Sequence, residues 1–283
     1  MRYSLNIIVS FLLVFSIPVP TAPGINVSRN SKAEIDYSNS RYGYVKLRFL
    51  EQTDASVRVI VTGPSDRQQQ YRLNVDGRWE VFPLSDGNGR YSIGVFEQVS
   101  GNRFATANTA TVNVSLLNEF VPFLRPNQFV NFDRDSRAVA KAAELVSGSS
   151  NVVDSVSRIF NFIIENIVYD FELAANVQSG YVPDIDQVLA RGRGICFDYA
   201  ALMTAMLRSQ GVPTKLVIGY AGTVFHAWIS VFSEESGWIN NIIVFDGESW
   251  NLMDPTFAAS ASQSADVMRF IGDASNYRST HYH

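Results

Sequence analysis

The sequence predicts a two-part α+β chain: a β-sandwich first, then a domain in which helices precede strands. Three observations predict it. Short alternating segments separated by turn residues fill the first third of the chain. The hydrophobic period changes from two to three-and-four near residue 135. It turns strand-like again after Gly211-Val212-Pro213, a helix stop. The 283 residues suffice for two domains. An apolar share of 46%, with 19 Phe, 12 Tyr and 4 Trp, supplies cores for both and excludes wholesale disorder.

Residues 1–24 read as an export signal. Arg2 precedes an apolar run from Leu5 to Ile17, followed by Pro18-Val19-Pro20-Thr21-Ala22. The run is shorter than the roughly 20 residues that span a bilayer. Cleavage after Ala22 would put Pro20 at a poor position, so an uncleaved anchor is the alternative. Later segments are too short or too polar to span. The expected location is secreted, cell-surface or otherwise extracytoplasmic.

Residues 26–118 read as an all-β domain. Tyr42–Leu50, Ser56–Val61, Tyr71–Val75, Arg78–Leu84, Tyr91–Val99 and Thr106–Leu116 alternate or are β-rich. Asp76-Gly77 reads as a hairpin turn, and Ser85–Gly89 as a second turn. About seven such strands suggest an immunoglobulin-like sandwich. Residues 119–134, rich in Pro and aromatics, read as an extended connector packed between domains.

Residues 135–283 read as the second domain. Asp135–Ser147 is an Ala-rich helix stopped by Gly148. Asn151–Val168 follows, with Val152, Val156, Ile159, Phe160, Ile163, Ile164 and Ile167 on one face and Asn151 as N-cap. Tyr181–Asp184 is a loop, Asp184–Ala190 a short helical turn, and Arg191–Gly194 a flexible basic turn. Cys196–Gln210 is helical. Lys215–Tyr220, Thr223–Phe232, Trp238–Phe245 and Ser249–Met253 read as strands. The tail at His281 and His283 reads as a frayed end.

Charge and cysteine count narrow the function. A net charge of −4 without a long basic run gives nucleic-acid binding no electrostatic support. A single cysteine, Cys196, excludes an intrachain disulfide and any cysteine-cluster metal site. No metal or organic cofactor is demanded. Cys196 opens a helix, where free backbone N–H groups and the helix dipole favour a thiolate. His226, the one histidine inside the body of the chain, lies on a strand with Trp228 on the same face. Asp254 follows a strand and precedes Pro255; a carboxylate there could hold an imidazole tautomer. Read alone, each has a bland alternative: buried cysteine, structural histidine, Asp-Pro turn. Together their order matches nucleophile, base and orienter.

Residues Gly194–Pro213 (GICFDYAALMTAMLRSQGVP), Lys215–Tyr220, Phe225–Val231 and Trp250–Thr256 (WNLMDPT) resemble the bacterial transglutaminase-like superfamily. The resemblance implies a papain-like cysteine fold with Cys196 as nucleophile, His226 as base and Asp254 as orienter. The Cys196 backbone N–H is one oxyanion donor; Tyr169, ranked first, and Gln187 are candidates for the second. Trp228, Trp250, Asp198 and Arg193 are expected to line the site. Ser233–Ser249 reads as an elongated hairpin that departs from the family pattern. Three functions follow: a secreted hydrolase of peptide or glutamine-type amide bonds, placed first; a cross-linking transglutaminase; or a non-catalytic surface module keeping the fold. The expected partner is a protein or peptide substrate, extracellular or of the cell envelope.

Overall fold

The computed structural model describes residues 24–240, 243–245, 250–252 and 277–283. Residues 1–23 of the expected export signal, Asp254 and most of the 241–276 stretch lie outside the described residues.

The first domain is built from alternation. Strands β1 (Val27–Arg29), β2 (Ala33–Asp36), β3 (Tyr44–Phe49) and β6 (Glu80–Pro83) form one antiparallel sheet in that order. Strands β5 (Gln68–Leu73), β4 (Val57–Thr62), β7 (Gly89–Ser100) and β8 (Arg103–Val114) form the second. Val57, Val59 and Val61 of β4 are buried and alternate with half-buried Arg58, Ile60 and Thr62. They meet Ile35, Val45, Leu47 and Phe49 of the facing sheet in one core. Each such side chain removed from water contributes about 1.5–3 kcal/mol.

One turn differs from expectation. Asp76-Gly77 is not a hairpin, because β5 pairs with β4 whereas β6 pairs with β3. The segment crosses between sheets. Alternation specifies that a strand has one buried face, but not which neighbour it pairs with. Strands β1 and β2 had no clear sequence signal, being only three and four residues long.

Residues 119–134 carry a short 3₁₀ turn at Val121–Leu124. Val121, Phe123, Val130 and Phe132 are buried. Phe129 packs against both domain cores.

The second domain begins with α1 (Arg137–Val146) and α2 (Val152–Asn166). The Asn151 side chain caps α2, accepting from Asp154 N at 2.9 Å. A two-residue parallel pair, β9 (Val168–Tyr169) with β10 (Arg193–Gly194), encloses α3 (Phe171–Asn176) and α4 (Ile185–Arg191). The central helix α5 (Cys196–Ser209) is followed by Gly211 at φ 79°. That left-handed conformation suits glycine. The chain reverses there into β11 (Thr214–Ala221) and β12 (Val224–Ser233). Strands β13 (Gly237–Ile239), β12, β11 and β16 (Tyr277–Tyr282) form an antiparallel sheet in that order.

The expected strand Trp238–Phe245 is two strands: β13 pairs with β12, whereas β14 (Ile243–Phe245) pairs with β15 (Trp250–Leu252). Asn240-Asn241 interrupts the apolar run, a pair that favours turns over strands.

The C-terminal tail is not frayed. His283 is buried, and its backbone pairs both ways with Leu216, at 2.8 and 2.9 Å. Its Nδ1 lies 3.0 Å from the Tyr71 hydroxyl, and its ring meets Phe129 edge-on at 4.7 Å. Tyr282 O accepts from Ser85 Oγ at 2.8 Å. The last strand thus ties the second domain to the first. Alternation is weak in Arg278-Ser279-Thr280-His281, so the pairing depends on contacts distant in sequence.

Candidate functional site

The site is organised by α5. Every residue from Asp198 to Arg208 is buried. Only its ends reach the surface, and Cys196, the first helical residue, is half-buried. Helix propensity selects this stretch, with Ala200, Ala201, Leu202, Met203, Ala205, Met206 and Leu207 in one run. Packing against α1, α2, β11 and β12 then buries it all round. A helix apolar on all sides belongs inside a domain.

The first turn of α5 is fixed by Asp198. Its Oδ2 accepts from the Ile195 backbone N–H at 2.9 Å, and its Oδ1 accepts from the Tyr181 hydroxyl at 2.6 Å. Arg191 Nη2 donates to Oδ2 at 3.1 Å. Burial pushes the Asp198 carboxyl up from the usual range, opposed by these donors. Burial likewise pushes the Tyr181 phenol up to about 12, so it stays a donor at neutral pH. Asp198 therefore holds the first turn of the helix that Cys196 opens, with Arg191 beside its carboxylate.

The basic turn is not a loose, solvated loop. Arg191 closes α4, and its Nε donates to Arg193 O at 2.7 Å. Arg193 forms a forked pair with Asp170, at 2.9 and 3.1 Å. Asp170 also caps α3 through Leu173 N at 2.9 Å. That backbone hydrogen bond, followed by Arg193, holds the Asp170 carboxyl below its ordinary range. The buried or half-buried acids that recruit both arginines are remote in sequence, so Arg-Gly-Arg-Gly alone could not reveal them.

The β9–β10 pair sets Tyr169 directly beside Gly194. Asp170 N donates to Gly194 O at 2.9 Å, so the register is held two residues before Cys196. Tyr169 is half-buried with its ring against Phe171 at 4.9 Å. Gln187 is exposed, and its amide donates to Asp184 Oδ2 at 2.9 Å. Of the two oxyanion candidates, Tyr169 is the one on the strand paired with Gly194, two residues before Cys196.

His226 is the third residue of β12 and is buried. The short Gln210–Pro213 reversal runs β11 back along α5. The end of β11 and the start of β12 thus share an end of the domain with Cys196. Ala227, Ile229 and Val231 join the core around α5. The alternation sets His226 and Trp228 on the other face, with their rings stacked at 6.1 Å. Trp228 is buried and meets Tyr277 edge-on at 5.3 Å. Gly219, opposite His226, is required by close approach: a Cβ there would lie 2.1 Å from Arg278 O. Among the described residues, no hydrogen bond joins the Cys196 thiol to the imidazole. Trp250 is placed on β15 by its backbone, pairing with Phe245. Asp254 lies outside the described residues. Among the described residues no cluster of His, Cys, Asp and Glu could hold a metal ion, and no helix is long and apolar enough to cross a membrane.

A buried helix that opens at its cysteine, followed by a histidine-bearing antiparallel sheet, fits the match of residues 139–241 to the transglutaminase-like superfamily. This segment is a transglutaminase-like domain. The chain is 23% identical over 201 residues to the uncharacterized protein YebA of Bacillus subtilis (strain 168), covering 61% of this chain. The match spans 26% of the length of that curated relative. Among solved structures, a candidate cysteine protease of Cytophaga hutchinsonii aligns with a TM-score of 0.43 and 16% identity, over 92% of this chain and 74% of the other. A red sea bream transglutaminase aligns with a TM-score of 0.31 and 14% identity, over 75% and 48%.

Proposed function

We propose that the chain is a secreted cysteine-dependent acyl-transfer enzyme that hydrolyses peptide or glutamine-type amide bonds through a thioester on Cys196. One observation carries this reading: α5 is buried from Asp198 to Arg208 and approaches the surface at its only thiol, Cys196. A purely structural cysteine would favour the buried middle of such a helix.

The chemistry runs as nucleophilic acyl transfer. The Cys196 thiolate attacks the carbonyl carbon, and the developing oxyanion takes hydrogen bonds from the Cys196 N–H and the Tyr169 hydroxyl. The C–N bond breaks as the His226 imidazolium gives its proton to the leaving amine. Water then adds to the thioester, losing a proton to His226, and the acid departs as the thiolate returns. Asp254 holds the imidazole tautomer. The segment 1–24 exports the chain, and the first domain is read as an immunoglobulin-like module presenting the enzyme to an extracellular or envelope protein.

Alkylation by iodoacetamide across pH tests this. Labelling that is already fast near pH 6, and slows in His226→Ala, supports a thiolate–imidazolium pair. Labelling that rises only near pH 8.5, unchanged in His226→Ala, removes it. Supplying a glutamine peptide with a labelled amine then separates hydrolysis from cross-linking: ammonia release without amine incorporation is the expected result.

A further inference from the structure

The first turn of α5 lacks an ordinary cap. Its N-cap residue is Ile195, whose side chain carries no acceptor. Asp198, three residues on, reaches back instead, its Oδ2 accepting from the Ile195 N–H at 2.9 Å. Cys196 is the first helical residue, so its own N–H has no acceptor within the helix. That N–H serves a developing oxyanion only while the turn keeps it aimed.

A carboxylate held by one bond is a loose tether, because the torsion that turns its two oxygens is broad. Here donors from three chain segments meet it. The Ile195 N–H and Arg191 Nη2, the latter at 3.1 Å, share Oδ2, and the Tyr181 hydroxyl donates to Oδ1 at 2.6 Å. Arg191 Nη2 also donates to the Tyr181 oxygen at 3.2 Å, which ties the two donors together. Tyr181 thus holds the oxygen that Ile195 does not use and fixes the plane of the carboxylate. Without it, Arg191 would be free to draw the group toward α4 and off the Ile195 N–H. Asp198 is fully buried, so bulk water does not stand ready to replace a lost donor. Tyr181 is half-buried in the loop between α3 and α4, and its ring meets Phe197, next to Cys196, edge-on at 6.5 Å.

We propose that Tyr181 is a positioning residue for acyl transfer at Cys196: acting through Asp198, its hydroxyl fixes the first turn of α5 and with it the Cys196 backbone N–H that donates to the oxyanion. The inference rests on the acyl-transfer reading and deepens it by adding a residue that does not touch the substrate.

Two reagents separate the donor from the thiol. p-Nitrophenyl acetate acylates Cys196 as the thiolate adds to the carbonyl, an oxyanion forms and p-nitrophenolate leaves. Iodoacetamide gives up iodide by direct displacement and forms no oxyanion. Both rates are measured on the full-length chain and on Tyr181→Phe, which keeps the ring and removes only the hydroxyl. In a variant that keeps the parent's thermal midpoint, acylation should fall at least about fivefold, short of the roughly hundredfold that losing a whole oxyanion donor costs. Alkylation should stay within about twofold. Arg191→Lys, which keeps the charge but not the shared contact, should show the same selective loss and takes over if Tyr181→Phe is unstable. Exchange of the Ile195 amide hydrogen, followed by NMR, should speed up at least about fivefold in either variant. Unchanged acylation, equal losses with both reagents, or an unchanged Ile195 exchange rate would overturn the proposal. A parent thiol that p-nitrophenyl acetate acylates no faster than free cysteine defeats the acyl-transfer reading, and the Ile195 exchange then decides whether Tyr181 holds the turn.

Discussion

The two ends of α5 solve opposite problems. At its start, the thiol is half-buried and the adjoining charges are paired: Asp198 meets Arg191 and a phenol. At its end, the Arg208 guanidinium is buried and held by backbone oxygens: Thr214 O at 2.8 Å, Arg125 O at 2.7 Å and His283 O at 2.5 Å. Burial drives its pKa down to about 9. Those three carbonyls come from β11, the connector and the residue just after β16. The far end is thus an anchor joining distant chain segments, while the near end stays open. The difference teaches that one buried helix can carry a charged anchor at one end and a partly exposed thiol at the other.

The sharpest break of this contrast is at the near end. Cys196→Ala should lose at least roughly a thousandfold in turnover, with unfolding free energy within about 1 kcal/mol of the parent. Steady-state rates and urea denaturation check both halves; lost stability would make the thiol a packing residue. At the far end, Arg208→Met should destabilise by about 3 kcal/mol, because three buried carbonyls lose their donor. The urea midpoint reads this directly, and an unchanged midpoint would deny the anchor.

The pH dependence sharpens the contrast further. Burial holds His283 neutral, with its pKa lowered to about 3 from 6.5. Between those values the unfolded chain binds the proton and the folded chain does not. Stability should fall as pH drops below about 6.5, by up to about 1.4 kcal/mol per pH unit. His283→Phe should flatten that slope in urea titrations repeated from pH 4 to 7. The smallest effect belongs to Asp198→Asn, which keeps a capping oxygen but strips Arg191 of its charge partner. About 1 kcal/mol of stability should go, and iodoacetamide labelling of Cys196 should shift to a different pH as the local field changes.

The second domain was legible where local rules act. Asn151 with Asp154 marked the start of α2, and Gly211-Val212-Pro213 marked the end of α5. Alternation found β3, β4, β7, β8, β11 and β12. What stayed hidden depended on partners far along the chain. Asp76-Gly77 looked like a hairpin because a turn signal does not say which sheet receives the next strand. Arg191 and Arg193 looked solvated because Asp198 and Asp170 reach them only after α3, α4 and α5 have folded together. His281 and His283 looked frayed because β16 has little alternation and gains its place by pairing with β11.

The sequence by itself determined the helices α1, α2, α4 and α5 but not the six-residue α3, which strands alternated, and that Cys196 and His226 are the single cysteine and the single histidine in the body of the chain. Those properties follow from periodicity, capping and composition, which act over a few residues. Tertiary structure alone decided that α5 is buried from Asp198 to Arg208 yet partly exposed at Cys196, that Tyr169 is the oxyanion candidate set beside Gly194, and that His283 is sealed between two domains. Burial and charge pairing are properties of neighbours in space, and the chain order does not name those neighbours.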